Sequence, residues 1–129
     1  MAFHRFLKAG LLERPISLYG SGDQTRDFTF IEDVVQLNLR AMEQGGIDGE
    51  VFNVGGGNAV SIKEVLSLIE ELVQKPLQIH KKERQKGDVQ ATLSDTKKVK
   101  KWLGYVPKTL IREGLEKEYL WVRSVLSLL

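Results

Sequence analysis

Cysteine is missing from the sequence, so disulfides and thiolate-bound metals are excluded and the redox compartment stays open. No charge sign dominates. The 19 Lys and Arg against 17 Asp and Glu leave a net charge of +2, which calls for no polyanionic partner. Long apolar runs are also missing: the apolar stretches are short and broken by charge, and no transmembrane helix is expected. The opening MAFHRFLKAGLLER is apolar and basic, but it lacks the order of basic start, apolar centre and small-residue cleavage site. It is not read as a signal peptide, and a cytoplasmic location is expected. There is no internal repeat and no low-complexity tract. What is present is 129 residues, about one domain, with 42% apolar content for a core and 28% charged content for a surface.

Strand and helix patterns alternate along the chain. Phe3, Phe6, Leu7 and Leu11 fall at helical spacing and predict an amphipathic helix over 2–13, stopped before Pro15. Ile16–Tyr19 alternates as a short strand, and Gly20, Gly22 and Asp23 make a turn. Residues 26–30 read as extended, with Asp27 and Thr29 on one side and Phe28 and Phe30 on the other. A helix follows over 31–44, with a wide buried face from Val34, Val35, Leu37, Leu39 and Met42, closed by Gly45 and Gly46. Val51–Val54 reads as a strand. A helix over 62–73 opens with the capping box Ser61-x-x-Glu64. Leu77–His80 reads as a strand leading into the polar loop 81–88, and 91–93 as a further short strand. Asp95–Leu103 is a basic helix closed by Gly104, and after Pro107 the last helix covers 111–128.

The predicted class is therefore α/β. The strands are too few and too short for a complete doubly wound sheet. The run 125–129 is more apolar than a solvated tail should be. Both features predict an incomplete fold, or one completed by another chain.

Two glycine-rich stretches invite comparison with a dinucleotide-binding loop. Gly55-Gly56-Gly57 lies between a strand and a helix, but position 60 is Val60 where a glycine or alanine is needed, and no ribose-binding acid follows. Gly20-x-Gly22 fails the same test at Thr25. A tight turn with an anion-tolerant backbone is the better reading of Gly55–Gly57. Arg26 is the candidate ligand residue, because a guanidinium offers a planar fork to two phosphate oxygens and stays charged. The competing reading is an arginine fixed by the local carboxylates Asp27, Glu32 and Asp33. Glu32 and Asp33 are read as favouring the following helix through its dipole rather than as acid and base. His4 and His80 have no ligand-spaced partner, and no metal site is expected. Lys81–Lys86 reads as a solvated basic loop, with no nucleic-acid partner expected. Trp102 and Trp121 read as core residues.

Taken together, the segments MAFHRF (1–6), ISLYG (16–20), GDQTRDFTFIEDV (22–34), VFNVGGG (51–57), KGDV (86–89) and LGYVP (103–107) occur in an order and spacing that resembles one family. The chain resembles the C-terminal part of the extended short-chain dehydrogenase/reductases, in their nucleotide-sugar epimerase and dehydratase branch. The likeness to UDP-glucuronate and UDP-glucose 4-epimerases is particularly close. Gly-x-x-x-Arg-Asp-Phe before an acidic helix start is the most specific of these motifs.

The resemblance implies a partial Rossmann-type fold, with 1–129 as a single C-terminal nucleotide-sugar-binding segment and the NAD-binding Rossmann domain absent. It implies that Arg26 binds the diphosphate, that Tyr19 and Ser17 lie beside the base, and that Asp88 bonds the ribose. A second phosphate-binding arginine common in the family falls at Gln85 here, with Arg84 and Lys86 beside it as substitutes. Family members also carry a Tyr-x-x-x-Lys catalytic pair that works with NAD. Four residues after Tyr19, Tyr105 and Tyr119 stand Asp23, Thr109 and Arg123, so the pair is absent. The expectation is a UDP-sugar-binding segment that begins just upstream of the sugar-side helix. It holds no catalytic residue, binds no cofactor by itself and is inactive alone; activity requires a complementing N-terminal polypeptide, and the chain is expected to form a homo-oligomer or to pair with that polypeptide. The alternative is a non-catalytic interaction module that binds no nucleotide.

Overall fold

The computed structural model describes residues 2–127. Its elements are α1 (Ala2–Leu11), β1 (Ile16–Tyr19), β2 (Thr25–Asp27), α2 (Ile31–Glu43), β3 (Ala59–Ser61), α3 (Ile62–Val73), β4 (Ile79–Lys82), α4 (Lys97–Leu103) and α5 (Ile111–Leu126). The class is α/β as expected, with an incomplete sheet. β1 pairs parallel with β4, Ile16 opposite Ile79, and β2 pairs antiparallel with β3, Arg26 opposite Val60.

The main core lies between α1, α3 and α5. Leu7, Val65, Ile69, Val73, Leu115 and Val122 form its buried centre. At Gly10, α1 packs closely against α3 and the chain beyond it: a Cβ there would meet the Val73 side chain at 3.3 Å and Leu77 at 2.9 Å. The capping box of α3 is formed as its sequence predicts. The Ser61 hydroxyl accepts from the Glu64 N–H at 3.2 Å, and the Glu64 carboxylate accepts from the Ser61 N–H at 2.9 Å. β1 seals one side through Ile16 and Leu18, which pack on Leu66. A second, smaller core of Leu37, Val99, Leu103 and Tyr105 joins α2 to α4.

Several expectations need correction. α1 ends at Leu11, two residues early, with Glu13 in the left-handed region at φ 53°. The strand expected at Leu77–His80 runs Ile79–Lys82 instead. Leu77 turns into the core, and its N–H donates to the Glu70 carboxylate at 2.8 Å. The expected strand at 91–93 is reduced to one parallel bridge between Thr25 and Ala91. Val51–Val54 forms no ladder, because no strand among the described residues lies beside it. Its first and last carbonyls are taken by side chains: Lys98 donates to Val51 O at 2.8 Å and the Ser94 hydroxyl to Val54 O at 3.0 Å.

The wide buried face predicted for α2 is also corrected. Leu37 is buried, but Val35 and Leu39 are exposed and Met42 is 82% exposed. α4 packs on the Leu37 face of α2, and α5 with its lead-in meets only its first turn, so the apolar width of α2 exceeds what the described residues cover. Trp102 and Trp121 are exposed rather than core. Of the apolar tail, residues 128 and 129 lie outside the described residues.

Candidate functional site

Arg26 stands in the middle of β2, where alternation points its side chain away from that of Asp27. One guanidinium nitrogen donates to the Asp88 carboxylate, and the other donates to the Thr25 carbonyl at 2.7 Å. Both side chains of the Arg26–Asp88 pair are partly exposed, so the pair is open to solvent on one side. Arg84 donates to the backbone carbonyl of Asp88. Gln85 enters the same turn through its backbone, its carbonyl accepting from the Asp88 N–H at 3.2 Å, while the residue itself is exposed.

Arg84 also borders β1. A Cβ at Gly20 would lie 3.8 Å from the Arg84 side chain. Arg26, Asp88, Arg84 and Tyr19 are thereby brought into one neighbourhood. Tyr19 is exposed, with the Lys82 ammonium 5.7 Å from its ring centre. Ser17 lies on the same face of β1, two residues back, alternating with buried Ile16 and Leu18. Among the described residues its hydroxyl bonds to none of the others.

Asp27 has a structural part that spacing gives no hint of. One carboxylate oxygen accepts from the Gly56 N–H at 2.8 Å and the other from the Ser94 N–H at 3.1 Å. The Gly55–Gly57 turn does hold an anion, and that anion is this carboxylate. A Cβ on Gly55 would stand 2.2 Å from Asp27 Oδ2, so the turn is closed by the protein itself. A dinucleotide pyrophosphate does not fit there: its place is taken by a like charge. Tyr105 completes the turn, its hydroxyl donating to Gly55 O at 3.0 Å. Burial pushes that hydroxyl above the usual tyrosine range, and the Asp33 and Asp27 charges push it further.

Glu32 and Asp33 occupy the first turn of α2, as expected. Asp33 does more than face the helix dipole. It is buried, and its two oxygens accept from the Lys108 and Thr109 N–H groups at 3.2 Å each, tying the lead-in of α5 to α2. Asp23, beside the Gly20–Gly22 turn, is held below the usual carboxylate range by Lys63 and then by Ser21.

An apolar cleft of about 480 Å³ opens between α1, α5 and the start of α2. Phe3, Phe28, Phe30, Ile31, Leu110 and Trp121 line it. Phe3 and Phe28 lie 4.4 Å apart between ring centres, tilted at 52°, and the His4 ring lies 5.6 Å from the Trp121 ring.

The GDP-mannose 4,6 dehydratase family model matches residues 4–118. The chain belongs to this family. It is 34% identical to an uncharacterized UDP-glucose epimerase of Bacillus subtilis over 97% of its own length and 40% of the relative's. It is equally 34% identical to the UDP-glucuronate 4-epimerase of Thermodesulfobacterium geofontis, over 100% of this chain and 40% of that one.

Among solved structures, UDP-glucuronic acid 4-epimerase from Bacillus cereus, in complex with UDP-glucuronic acid and NAD, superposes with a TM-score of 0.91 at 35% identity, covering 97% of this chain and 40% of that one. UDP-glucose 4-epimerase from Thermotoga maritima, with UDP-glucose, gives 0.90 at 32% identity, covering 98% and 40%. The chain thus spans about two-fifths of the length of the relatives it matches, and it corresponds to their C-terminal portion. The extended short-chain dehydrogenase/reductase resemblance holds, as does the partial Rossmann-type fold. No helix of the described residues is long and apolar enough to cross a membrane.

Proposed function

We propose that these 129 residues form the substrate-side part of an NAD-dependent nucleotide-sugar epimerase or dehydratase, and that they hold the UDP part of a UDP-sugar. The observation that carries this reading is the cluster of Arg26, Asp88, Arg84 and Tyr19, drawn from three separate stretches to one open edge. A guanidinium fork suits a diphosphate, and a carboxylate beside it suits the two hydroxyls of a ribose. Arg84 supplies the second cation that Gln85 does not. Tyr19 and Ser17, on the outer face of β1, flank the base. In this reading the enzyme works in the cytoplasm.

Proton and hydride transfer fall to protein outside these residues, because no Tyr-x-x-x-Lys pair is present and the glycine turn does not fit NAD. The surface for that partner is apolar. Ile31, Val35, Leu39 and Met42 recur at helical spacing on the uncovered side of α2, and Ile31 continues the stripe into the apolar cleft. On the opposite, buried side of α2, Val51–Val54 packs against Leu37 through Phe52 and Val54 and lies extended without a ladder among the described residues. Exposed apolar surface of this extent favours association. The complementing part of the fold is its occupant in this reading, and self-association is the outcome when that part is withheld.

A thermal melt with and without millimolar UDP, with NAD as control, tests the reading. A ligand that binds the folded state alone raises the midpoint. UDP is expected to raise it, NAD is not, and Arg26→Ala is expected to abolish the rise. A cooperative melt that UDP leaves unmoved would move the non-catalytic interaction module ahead. Turnover of a UDP-sugar with NAD by the purified chain alone would refute the division of labour.

A further inference from the structure

Arg26 and Asp27 are neighbours on β2 with opposite directions. Arg26 reaches Asp88 on one face, and Asp27 reaches Gly56 and Ser94 on the other. The segment 88–94 passes between these two ends and, beyond the Arg26–Asp88 pair, is tied to β2 at three further points. Thr25 N–H donates to Gln90 O at 3.0 Å, Thr92 N–H donates to Thr25 O at 3.2 Å, and Ser94 N–H donates to the Asp27 carboxylate at 3.1 Å. The first two bonds join half-buried Thr25 to exposed Gln90 and Thr92, where water can compete. The third is part-buried and charge-assisted, and is the strongest of the three by type. The second Asp27 oxygen is already committed to Gly56, so the carboxylate cannot rotate away from Ser94.

We propose that Asp27 is a positioning residue for the anion site. Its carboxylate fixes where 88–94 lies along β2, and so holds Asp88 in place beside Arg26. The geometry requires a carboxylate. Two backbone N–H groups point at its two oxygens, and an amide would turn its own NH2 toward one of them. The inference rests on the reading of Arg26 and Asp88 as a nucleoside-diphosphate site, and it adds a residue that touches no ligand.

The test is a double-mutant cycle on UDP affinity, measured by calorimetry on the purified chain. Asp27→Asn is expected to weaken UDP binding on the order of tenfold. In an Asp88→Asn background the same substitution is expected to add almost nothing, because Asp27 acts through Asp88. Inorganic pyrophosphate, which engages Arg26 without a ribose, is expected to lose much less. Additive losses, or an equal loss for pyrophosphate, would overturn the proposal, since a general loosening of the fold gives both. A second measurement needs no variant. Coupling is reciprocal, so UDP is expected to slow hydrogen exchange at the wild-type Ser94 amide. An unchanged Ser94 rate under saturating UDP would overturn the positioning role alone. Failure of the wild-type chain to bind UDP would overturn the anion-site reading, and this role with it.

Discussion

Gly56 and Phe28 meet backbone to backbone: a Cβ on Gly56 would fall 1.9 Å from the Phe28 carbonyl oxygen. The obstacle is main chain, which cannot swing aside as a side chain can. Gly56→Ala is expected to cost about 3 kcal/mol or more through overpacking. Urea denaturation measures it. Gly45→Ala is the control, since nothing lies within 4 Å of a Cβ there. Equal stability of the two variants would remove the close approach as the reason for the glycine.

The capping box of α3 gives a smaller and cleaner effect. Ser61→Ala removes the acceptor for the Glu64 N–H. The expected loss is about 1 kcal/mol. Ser61→Asp keeps an acceptor and is expected to restore most of it. A stability series on the three proteins checks this.

Glu118 ties stability to pH. Burial raises its carboxyl above the ordinary value of 4.5, while the nearby His4 charge works the other way. A carboxyl with a raised folded-state pKa stabilises when protonated. That contribution is complete below the unfolded-state value and is lost as pH rises through the folded-state value. Glu118→Gln is therefore expected to raise the melting temperature at pH 7 and to leave it unchanged near pH 4. Melts of both proteins across this range decide it. A constant difference at every pH would show that the carboxyl's ionisation is not the cause.

The uncovered stripe of α2 separates folding from association. Leu39→Glu and Met42→Glu change side chains that already face solvent. Each is expected to move stability by less than about 0.5 kcal/mol. Both together are expected to abolish self-association in sedimentation, and to abolish capture of a complementing polypeptide. A wild-type chain that stays monomeric at micromolar concentration would argue against the stripe as a docking face.

Local signals were legible where a single element carries them. The period of Phe3, Phe6, Leu7 and Leu11 sets α1, and Ser61 with Glu64 announces α3. Signals that depend on a neighbour were misread. Val51–Val54 has the composition of a strand, but pairing needs a partner that the described residues do not provide. Val35, Leu39 and Met42 are as apolar as a core position should be, and only the absence of a covering layer makes them surface. Leu77 and Ile79 continue one alternation, so the boundary of β4 had to be decided by the Glu70 carboxylate at the Leu77 N–H.

In the candidate site, Arg26 was named from its guanidinium chemistry and Asp88 from a resemblance, and the two are found paired across 62 residues. The clamp by Asp27 was invisible. Its partners Gly56 and Ser94 lie 29 and 67 residues away, and both answer with backbone N–H groups that have no side-chain signature.

The hydrophobic interior is divided: one nucleus holds α1, α3 and α5 and is sealed on one side by β1, and a lesser one of four buried residues joins α2 to α4. A divided interior has two thresholds of cooperativity. The lesser nucleus is expected to open and reclose as a separate unit of local unfolding, which faster hydrogen exchange in α2 and α4 than in α3 would show. That unit is the one bearing the apolar stripe. Whatever lands on α2 meets a surface still free to settle, so completing that part of the molecule and recognising its partner become a single event.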